Sequence, residues 1–447
     1  MDLYNVNDMC GIYFSTSIES GGVDKKFLLR GPDYFNYEND QNINMSHSLL
    51  SLTGDFTPQP ITVNNTKLIF NGQIYNYSKK HFSSDSYFIV DQYLKFGLNF
   101  WENLDGEYAI IIYDLNKNLV VFLTDIFGTK PVYYTLENDE LSISSLRSTL
   151  ELNGHKNIIK AAPNTIYIYN LNTKKLSEKK EYFKFNLDQY KNTFDDWNEK
   201  FHQSIDKRFN VPKHDIILPL SSGHDSGAIA CAFKLLDINF YSYSFFNNEN
   251  KKILSKRLLR RLTSSPFKTY FRDNLNDLKT NIRISEHLNT KVDNFFYGET
   301  IENLNIDGKK EKGSMGLTYI LEKAKKINKN IKIVASGQGG DEIYSNNQSY
   351  TFGLPNPIKF DSNLKEIFPW QNFYYGSQIS YLSKEEAIGG SFGIETRYPF
   401  LDKDLVQEYL NLVPNLKNKY YKSPITNYLK VNKYPYIADE SKLGFNP

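Results

Sequence analysis

The sequence predicts a two-domain chain: an antiparallel α+β half, then a doubly wound α/β half built on a parallel sheet. Three observations predict it. Up to about residue 185, short β-branched and aromatic runs are separated by Asn/Asp turns, the pattern of antiparallel strands. Beyond about residue 198, helices alternate with short, wholly apolar strands, the pattern of a parallel sheet covered on both faces. Between them, residues 186–198 are mostly polar, and 447 residues suit two or more domains.

In chain order, residues 67–70 (KLIF) read as a strand entering Asn71 and Gly72. Residues 86–94 (SYFIVDQYL) carry apolar side chains at helical spacing and are expected to pack on a sheet face. Residues 108–114 (YAIIIYD) and 119–123 (LVVFL) form strands around an Asn-rich turn. Residues 132–136 and 141–144 form another pair, and residues 165–169 and 182–185 look alike. In the second half, residues 216–220 (IILPL) precede a Ser/Gly loop and an apolar helix at 228–236. A Lys-rich amphipathic helix at 319–327 leads to the strand 331–335 (IKIVA). The Lys/Arg-rich stretches 251–261 and 309–312 read as solvated helix faces and loops.

Composition narrows the function. Lys+Arg total 53 against 51 Asp+Glu, so no electrostatic case exists for nucleic acid or an anionic membrane as the main partner. Two cysteines, Cys10 and Cys231, are too few for a disulfide framework or a cysteine-rich metal site. No apolar run reaches the roughly 18–20 residues of a membrane span, and the polar start MDLYNVND lacks the features of a signal peptide. A cytoplasmic chain is the expectation. The abundant aromatics (Tyr 33, Phe 31) are spread along the chain rather than grouped with Arg, which argues against a base-stacking surface.

Two loops carry the chemistry of the second half. The first strand opens into Ser221, Ser222, Gly223, His224, Asp225 and Ser226. Small residues let the backbone fold around an anion, and the following helix N-terminus favours negative charge. A carboxylate inside such a loop repels phosphate unless it holds Mg²⁺, so Asp225 points to metal. Taken alone, the loop also reads as a helix start capped by Ser226 or Asp225. The second strand ends at Ser336, Gly337, Gln338, Gly339, Gly340, Asp341 and Glu342. Both loops fall at strand carboxyl ends, where doubly wound sheets bind ligands. Two such loops, each with an acid, suit a nucleoside triphosphate with its metal.

Residues 221–226 resemble the S-G-G-x-D-S loop of the ATP pyrophosphatases, and residues 336–342 the S-G-x-G-x-D-E motif of asparagine synthetases. Residues 393–402 (GIETRYPFLD) and 442–447 (KLGFNP) resemble two further motifs of that family. In the first half, Met9-Cys10-Gly11-Ile12 resembles the start of class II glutamine amidotransferases. Arg30-Gly31-Pro32-Asp33, residues 71–76 (NGQIYN) and residues 125–134 (DIFGTKPVYY) resemble their further motifs.

The resemblance implies a four-layer αββα glutaminase at 10–190 and an asparagine synthetase-like ligase at 198–447. It implies Cys10 as nucleophile, its freed α-amine as base, Asn71 and Gly72 as oxyanion donors, and Asp85 with Gln73 at the glutamine α-amino group. Cys10 follows nine residues, so its amine is free only after removal of residues 1–9 or from a start at Met9, the favoured reading. In the second half the resemblance implies ATP and Mg²⁺. Ser221, Ser222, Gly223, Asp225 and Ser226 would hold pyrophosphate, and Ser336 and Gly337 the ribose side. Asp225 and Asp341 would bind metal, and Lys442 would stabilise charge at the reacting centre. Glu395 and Arg397 are expected to be structural, as a buried ion pair. The implied reaction adenylates a carboxylate, aspartate by default, and ammonia arriving through an internal tunnel displaces AMP. A homodimer is the assembly considered.

Several positions depart from the pattern. Leu49 stands where an Arg pairs with the glutamine carboxylate, leaving Arg30 or Arg147 as substitutes. Gln73 and Gln338 each replace a Glu, and Gln338, at the ammonia and acceptor site, cannot take a proton. Ser222 replaces a Gly and is tolerated if its backbone angles are ordinary. These departures favour a second reading, the same mechanism on another carboxylate such as a sugar acid or a peptide or natural-product intermediate. A third reading is a catalytically silent paralogue acting as a binding partner.

Overall fold

The computed structural model describes residues 10–17, 22–40, 43–211, 213–246, 249–262, 269–272, 275, 277–298, 306–345, 359–361 and 363–437. The chain divides into two compact units. The first contains residues 1–184, 291–295 and 386–395, and the second the remainder.

The first unit holds two six-stranded antiparallel sheets. In one, Gly11–Ser15 lies between Ile43–Leu49 and Glu140–Ser144. In the other, Gly106–Asp114 lies between Thr66–Ile74 and Leu119–Thr124. The period of two along each strand sorts the side chains. Ile12, Phe14, Met45 and Ile143 meet Ile69, Ile111, Phe122 and Tyr167 in one core between the sheets. Tyr13 points the other way, joining Phe27 and Leu150 from the helices Lys25–Arg30 and Arg147–Leu152, and Leu146 just before the second. The helix Asp85–Phe96 packs on Thr66–Ile74 and buries Ile89, Val90 and Tyr93. Phe122 is fully buried and stacks on Tyr167 with ring centroids 4.7 Å apart. Truncating it to Ala would cost about 3–5 kcal/mol.

The expected strand at 182–185 is not a strand. The partner of Thr165–Asn170 is Lys175–Lys180, an exposed Lys-rich edge with no apolar alternation to reveal it. Tyr182 and Phe185 are buried as single anchors instead, and the Tyr182 hydroxyl donates to the Thr124 carbonyl at 3.0 Å.

In the second unit the sheet order is Thr269–Arg272, Tyr241–Phe245, Asp215–Pro219, Ile331–Ala335, Glu395–Arg397, with the first four strands parallel. Asp215–Pro219 and Ile331–Ala335 are neighbours, Ile217 opposite Val334. Their carboxyl ends therefore lie side by side, which brings the two Gly/Ser loops together. Helices follow both strands, His224–Leu235 and the short Gly340–Tyr344. Among the described residues no helix is long and apolar enough to cross a membrane.

Candidate functional site

Cys10 enters the strand Gly11–Ser15 and is half-buried. Its Sγ accepts from the Leu50 N–H at 3.2 Å and faces the Leu50 carbonyl at 3.7 Å. Burial pushes the thiol up to about 12, the Leu50 backbone bond and Arg30 opposing it in part. A nucleophilic role for this thiol would need a proton acceptor at hand.

Cys10 borders a cavity of about 30 Å³, shared with Leu49, Gly72, Gln73, Asp85 and Glu395. Gly72 has φ +129°, and a Cβ there would lie 2.0 Å from the Glu107 carbonyl oxygen, so only glycine fits. Asn71 is buried, and its Nδ2 has no hydrogen-bond partner among the described residues. A buried donor without a partner is the kind of group that would suit an oxyanion formed only during a reaction.

Asp85 starts the helix Asp85–Phe96. It accepts from Gln73 Nε2 at 3.0 Å and the Ile74 N–H at 3.2 Å, while Thr53 donates to Gln73 Oε1. Burial pushes Asp85 up to about 7, the backbone bonds opposing it in part. His47 is buried and held neutral near pH 7, burial lowering it to about 4. The two arginines considered as substitutes at Leu49 do not border this cavity. Arg147 Nε pairs with Glu151 at 3.1 Å, and Arg30 pairs with Glu386 at 3.4 Å. Glu395, expected to be structural, borders the Cys10 cavity.

The second site is a cavity of about 350 Å³ bordered by Ser221, Gly223, Asp225, Ser226, Ser336, Gly337, Gln338 and Asp341 among others. The expected loops do converge. A Cβ on Gly337 would lie 2.9 Å from the Asp225 Cβ, and one on Gly340 would lie 2.4 Å from its Oδ1. Both glycines are thus required by the approach of the other loop. Gln338 keeps Nε2 buried without a partner among the described residues.

The helix begins at His224 with Gly223 as N-cap, so neither Ser226 nor Asp225 caps it. Ser226 instead folds the loop: its Oγ accepts from the Ser221 N–H at 3.1 Å and lies 2.8 Å from Ser221 Oγ. Ser222 is not among the residues with positive φ, so it replaces a glycine without strain. Its N–H donates to Glu249 at 2.6 Å, and its hydroxyl donates to the same oxygen.

Three features escaped the sequence reading. Lys422 is buried, with Nζ 2.6 and 2.8 Å from the Asp225 oxygens and 3.0 Å from Asp341 Oδ1. Burial alone would lower its pKa, but Asp225 and Asp341 raise it well above the usual lysine value. Tyr421 also donates to Asp341, at 3.0 Å. Arg257 is fully buried rather than solvated and donates to the carbonyls of Ser221 (2.6 Å) and Gly223 (2.8 Å). A Cβ on Gly227 would sit 2.2 Å from its guanidinium. The spacing Leu254, Arg257, Leu258, Arg261 puts both arginines on the apolar stripe of Lys251–Leu262, a signal present in the sequence.

Asp225 and Asp341 would suit Mg²⁺ completed by phosphate and water oxygens. No cluster of three His, Cys, Asp or Glu side chains that could hold a metal occurs among the described residues. Lys442 lies outside the described residues.

Residues 9–186 match a family model described as a glutamine amidotransferase domain. A Methanocaldococcus jannaschii protein assigned as a glutamine-hydrolysing asparagine synthetase is 26% identical over 409 residues, 83% of this chain and 69% of that protein. An asparagine synthetase domain-containing protein of Saccharomyces cerevisiae is 26% identical over 423 residues, 85% of this chain and 78% of that protein. Glutamine-hydrolysing asparagine synthetase 2 of Bacillus subtilis is 32% identical over a shorter stretch of 136 residues, 28% of this chain and 18% of that protein.

Proposed function

We propose that this chain, which belongs to the asparagine synthetase-like glutamine amidotransferase family, is an ATP-dependent ligase that transfers glutamine nitrogen to a carboxylate as an amide. The observation that carries the reading is the convergence of Asp225 and Asp341, from two strand-end loops, on Lys422 beside a cavity of about 350 Å³.

In the first unit, Cys10 Sγ attacks the glutamine amide carbon. Its thiol is buried, so the proton leaves during attack, to the α-amine of Cys10 once residues 1–9 are removed. Asn71 Nδ2 and the Gly72 N–H receive the developing oxyanion, each worth a few kcal/mol in the transition state. Ammonia leaves, and water hydrolyses the thioester to glutamate. Asp85, ionised above about pH 7, holds the glutamine α-ammonium.

In the second unit, the acceptor carboxylate displaces pyrophosphate from ATP, forming an acyl adenylate. Ammonia attacks the acyl carbon, AMP leaves and one proton is lost. The Ser221–Ser226 loop, steadied by Arg257, would carry pyrophosphate, and Ser336 and Gly337 the ribose side. Lys422 would supply positive charge to the phosphates, and Lys442 would act at the reacting centre. Asp225 and Asp341 would hold Mg²⁺, which neutralises phosphate charge when bound.

Aspartate is the default acceptor. Gln338 favours a second reading, a different carboxylate, because its amide can position ammonia but cannot accept its proton. Purified protein with ATP, Mg²⁺, glutamine and aspartate tests both. Stoichiometric asparagine, AMP and pyrophosphate support the first. Glutamate release without asparagine sinks aspartate as acceptor and sends the search to other carboxylates. No glutamate release and no acceptor-dependent pyrophosphate release would leave a binding role and end the ligase reading.

A further inference from the structure

Two motifs of the first unit, Arg30-Gly31-Pro32-Asp33 and residues 125–134, have no part in the chemistry above, yet they meet at one point. Arg30 Nε donates to the Cys10 carbonyl at 3.1 Å. Its Nη1 donates to the Glu386 carbonyl at 3.2 Å, and its Nη2 to Glu386 Oε2 at 3.4 Å. Lys130 Nζ takes the other Glu386 oxygen at 2.7 Å. Exposures of 3% for Arg30, 1% for Lys130 and 0% for Glu386 exclude water from the triad. Glu386 comes from a short segment, residues 386–395, that belongs to the first unit although it lies 356 positions beyond Arg30. One turn further on, a Cβ at Gly390 would lie 3.0 Å from Arg30 Nη1 and 3.2 Å from its Cγ, so the glycine leaves room for the guanidinium.

We infer that Glu386 is a positioning residue of the amide-hydrolysing site: it clamps Arg30 by carboxylate and main-chain carbonyl, and Arg30 fixes the carbonyl, and so the backbone, of Cys10. A nucleophile whose α-amine also moves the proton needs its backbone held as firmly as its thiol, because a shift of about 1 Å misaligns both. Lys130 takes the second carboxylate oxygen and balances its charge. A buried carboxylate between two cations is otherwise a poor way to add stability, which leaves orientation as its use.

The inference rests on Cys10 as the nucleophile that releases ammonia. Its test is a double-mutant cycle in the full chain: parent, Arg30→Met, Glu386→Gln and the double variant. Glutamate release is read as kcat and KM, normalised to Cys10 sites counted by iodoacetamide labelling. Each single variant is expected to lose about tenfold or more in kcat with KM within about threefold. The double variant should be no worse than the poorer single, because both remove one clamp. Glu386→Asp should restore part of the kcat. Independent, multiplicative losses, or full kcat in Glu386→Gln, would overturn the inference. Gly390→Ala, which crowds Arg30 while leaving all three charges, guards against misfolding: it should lower kcat several-fold, and an unchanged kcat counts against the clamp. If the parent releases no glutamate, the proposed function fails instead. The cycle is then read on the rate of Cys10 alkylation, where non-additivity supports the clamp and additivity sinks it.

Discussion

The two cavities differ in how they are built. The one beside Cys10 measures about 30 Å³, room for a water or two, and its floor is sheet backbone. Thr53, Gln73 and Asp85 close it with side-chain hydrogen bonds. The one beside Asp225 measures about 350 Å³ and is formed where two parallel strands end in loops. In the first, Gln73 is tied on both sides, to Thr53 and to Asp85. The second is larger, and two of its carboxylates, Asp225 and Asp341, are gathered on Lys422. A small site suits a covalent step with one geometry, and a larger, loop-built site suits a large anionic nucleotide.

The largest effects should separate the two sites cleanly. Cys10→Ala should abolish glutamate release, by at least about a thousandfold, because no other group supplies the nucleophile. Pyrophosphate release driven by ammonium salt should stay within about twofold. Loss of both activities together would break the division of labour. Next in size, Lys422→Met should lower ATP–pyrophosphate exchange by about a hundredfold, since it removes the buried positive charge proposed to face the phosphates and the cation that holds Asp225 and Asp341 together. Glutamate release is the control and should persist.

A smaller loss follows from the packing beneath the second site. Arg257→Met removes the donors that hold the Ser221 and Gly223 carbonyls. The KM for ATP should rise about tenfold, and unfolding in urea should report a loss of about 3 kcal/mol. An unchanged KM would mean that the loop holds its shape without this support.

Sequence patterns reached the features that local periodicity and motifs encode. The strand at 331–335 is observed as Ile331–Ala335, and the helix at 86–94 as Asp85–Phe96. The convergence of residues 221–226 with residues 336–342 follows from the rule that neighbouring parallel strands place their carboxyl ends together. Lys422 could not be read this way: it sits 197 positions from Asp225, in a stretch whose lysines and tyrosines resemble any surface. Arg257 was legible in spacing but hidden by charge, since a helix rich in Lys and Arg suggests solvent. The expected boundary near 186–200 likewise missed that residues 291–295 and 386–395 complete the first unit. Short returning segments carry no composition of their own.

The smallest effect sharpens the first site most, because it tests Asp85 through pH alone. Burial raises Asp85 to about 7, so between its ordinary value and 7 the folded chain keeps a proton that the unfolded chain has lost. The sign follows from linkage: the unfolded state binds fewer protons in that window, so stability falls as pH rises through it. The proposed function runs the opposite way, since only the ionised carboxylate would attract a glutamine α-ammonium. At pH 6 about a tenth of Asp85 is ionised, and KM for glutamine should be about tenfold higher than at pH 8, with the profile bending near pH 7. Asp85→Asn should flatten that bend while raising KM throughout, and should remove the fall in stability that urea titrations show as pH rises from about 4 to about 7. A bend that survives in Asp85→Asn would assign it to another group and remove Asp85 from the glutamine pocket.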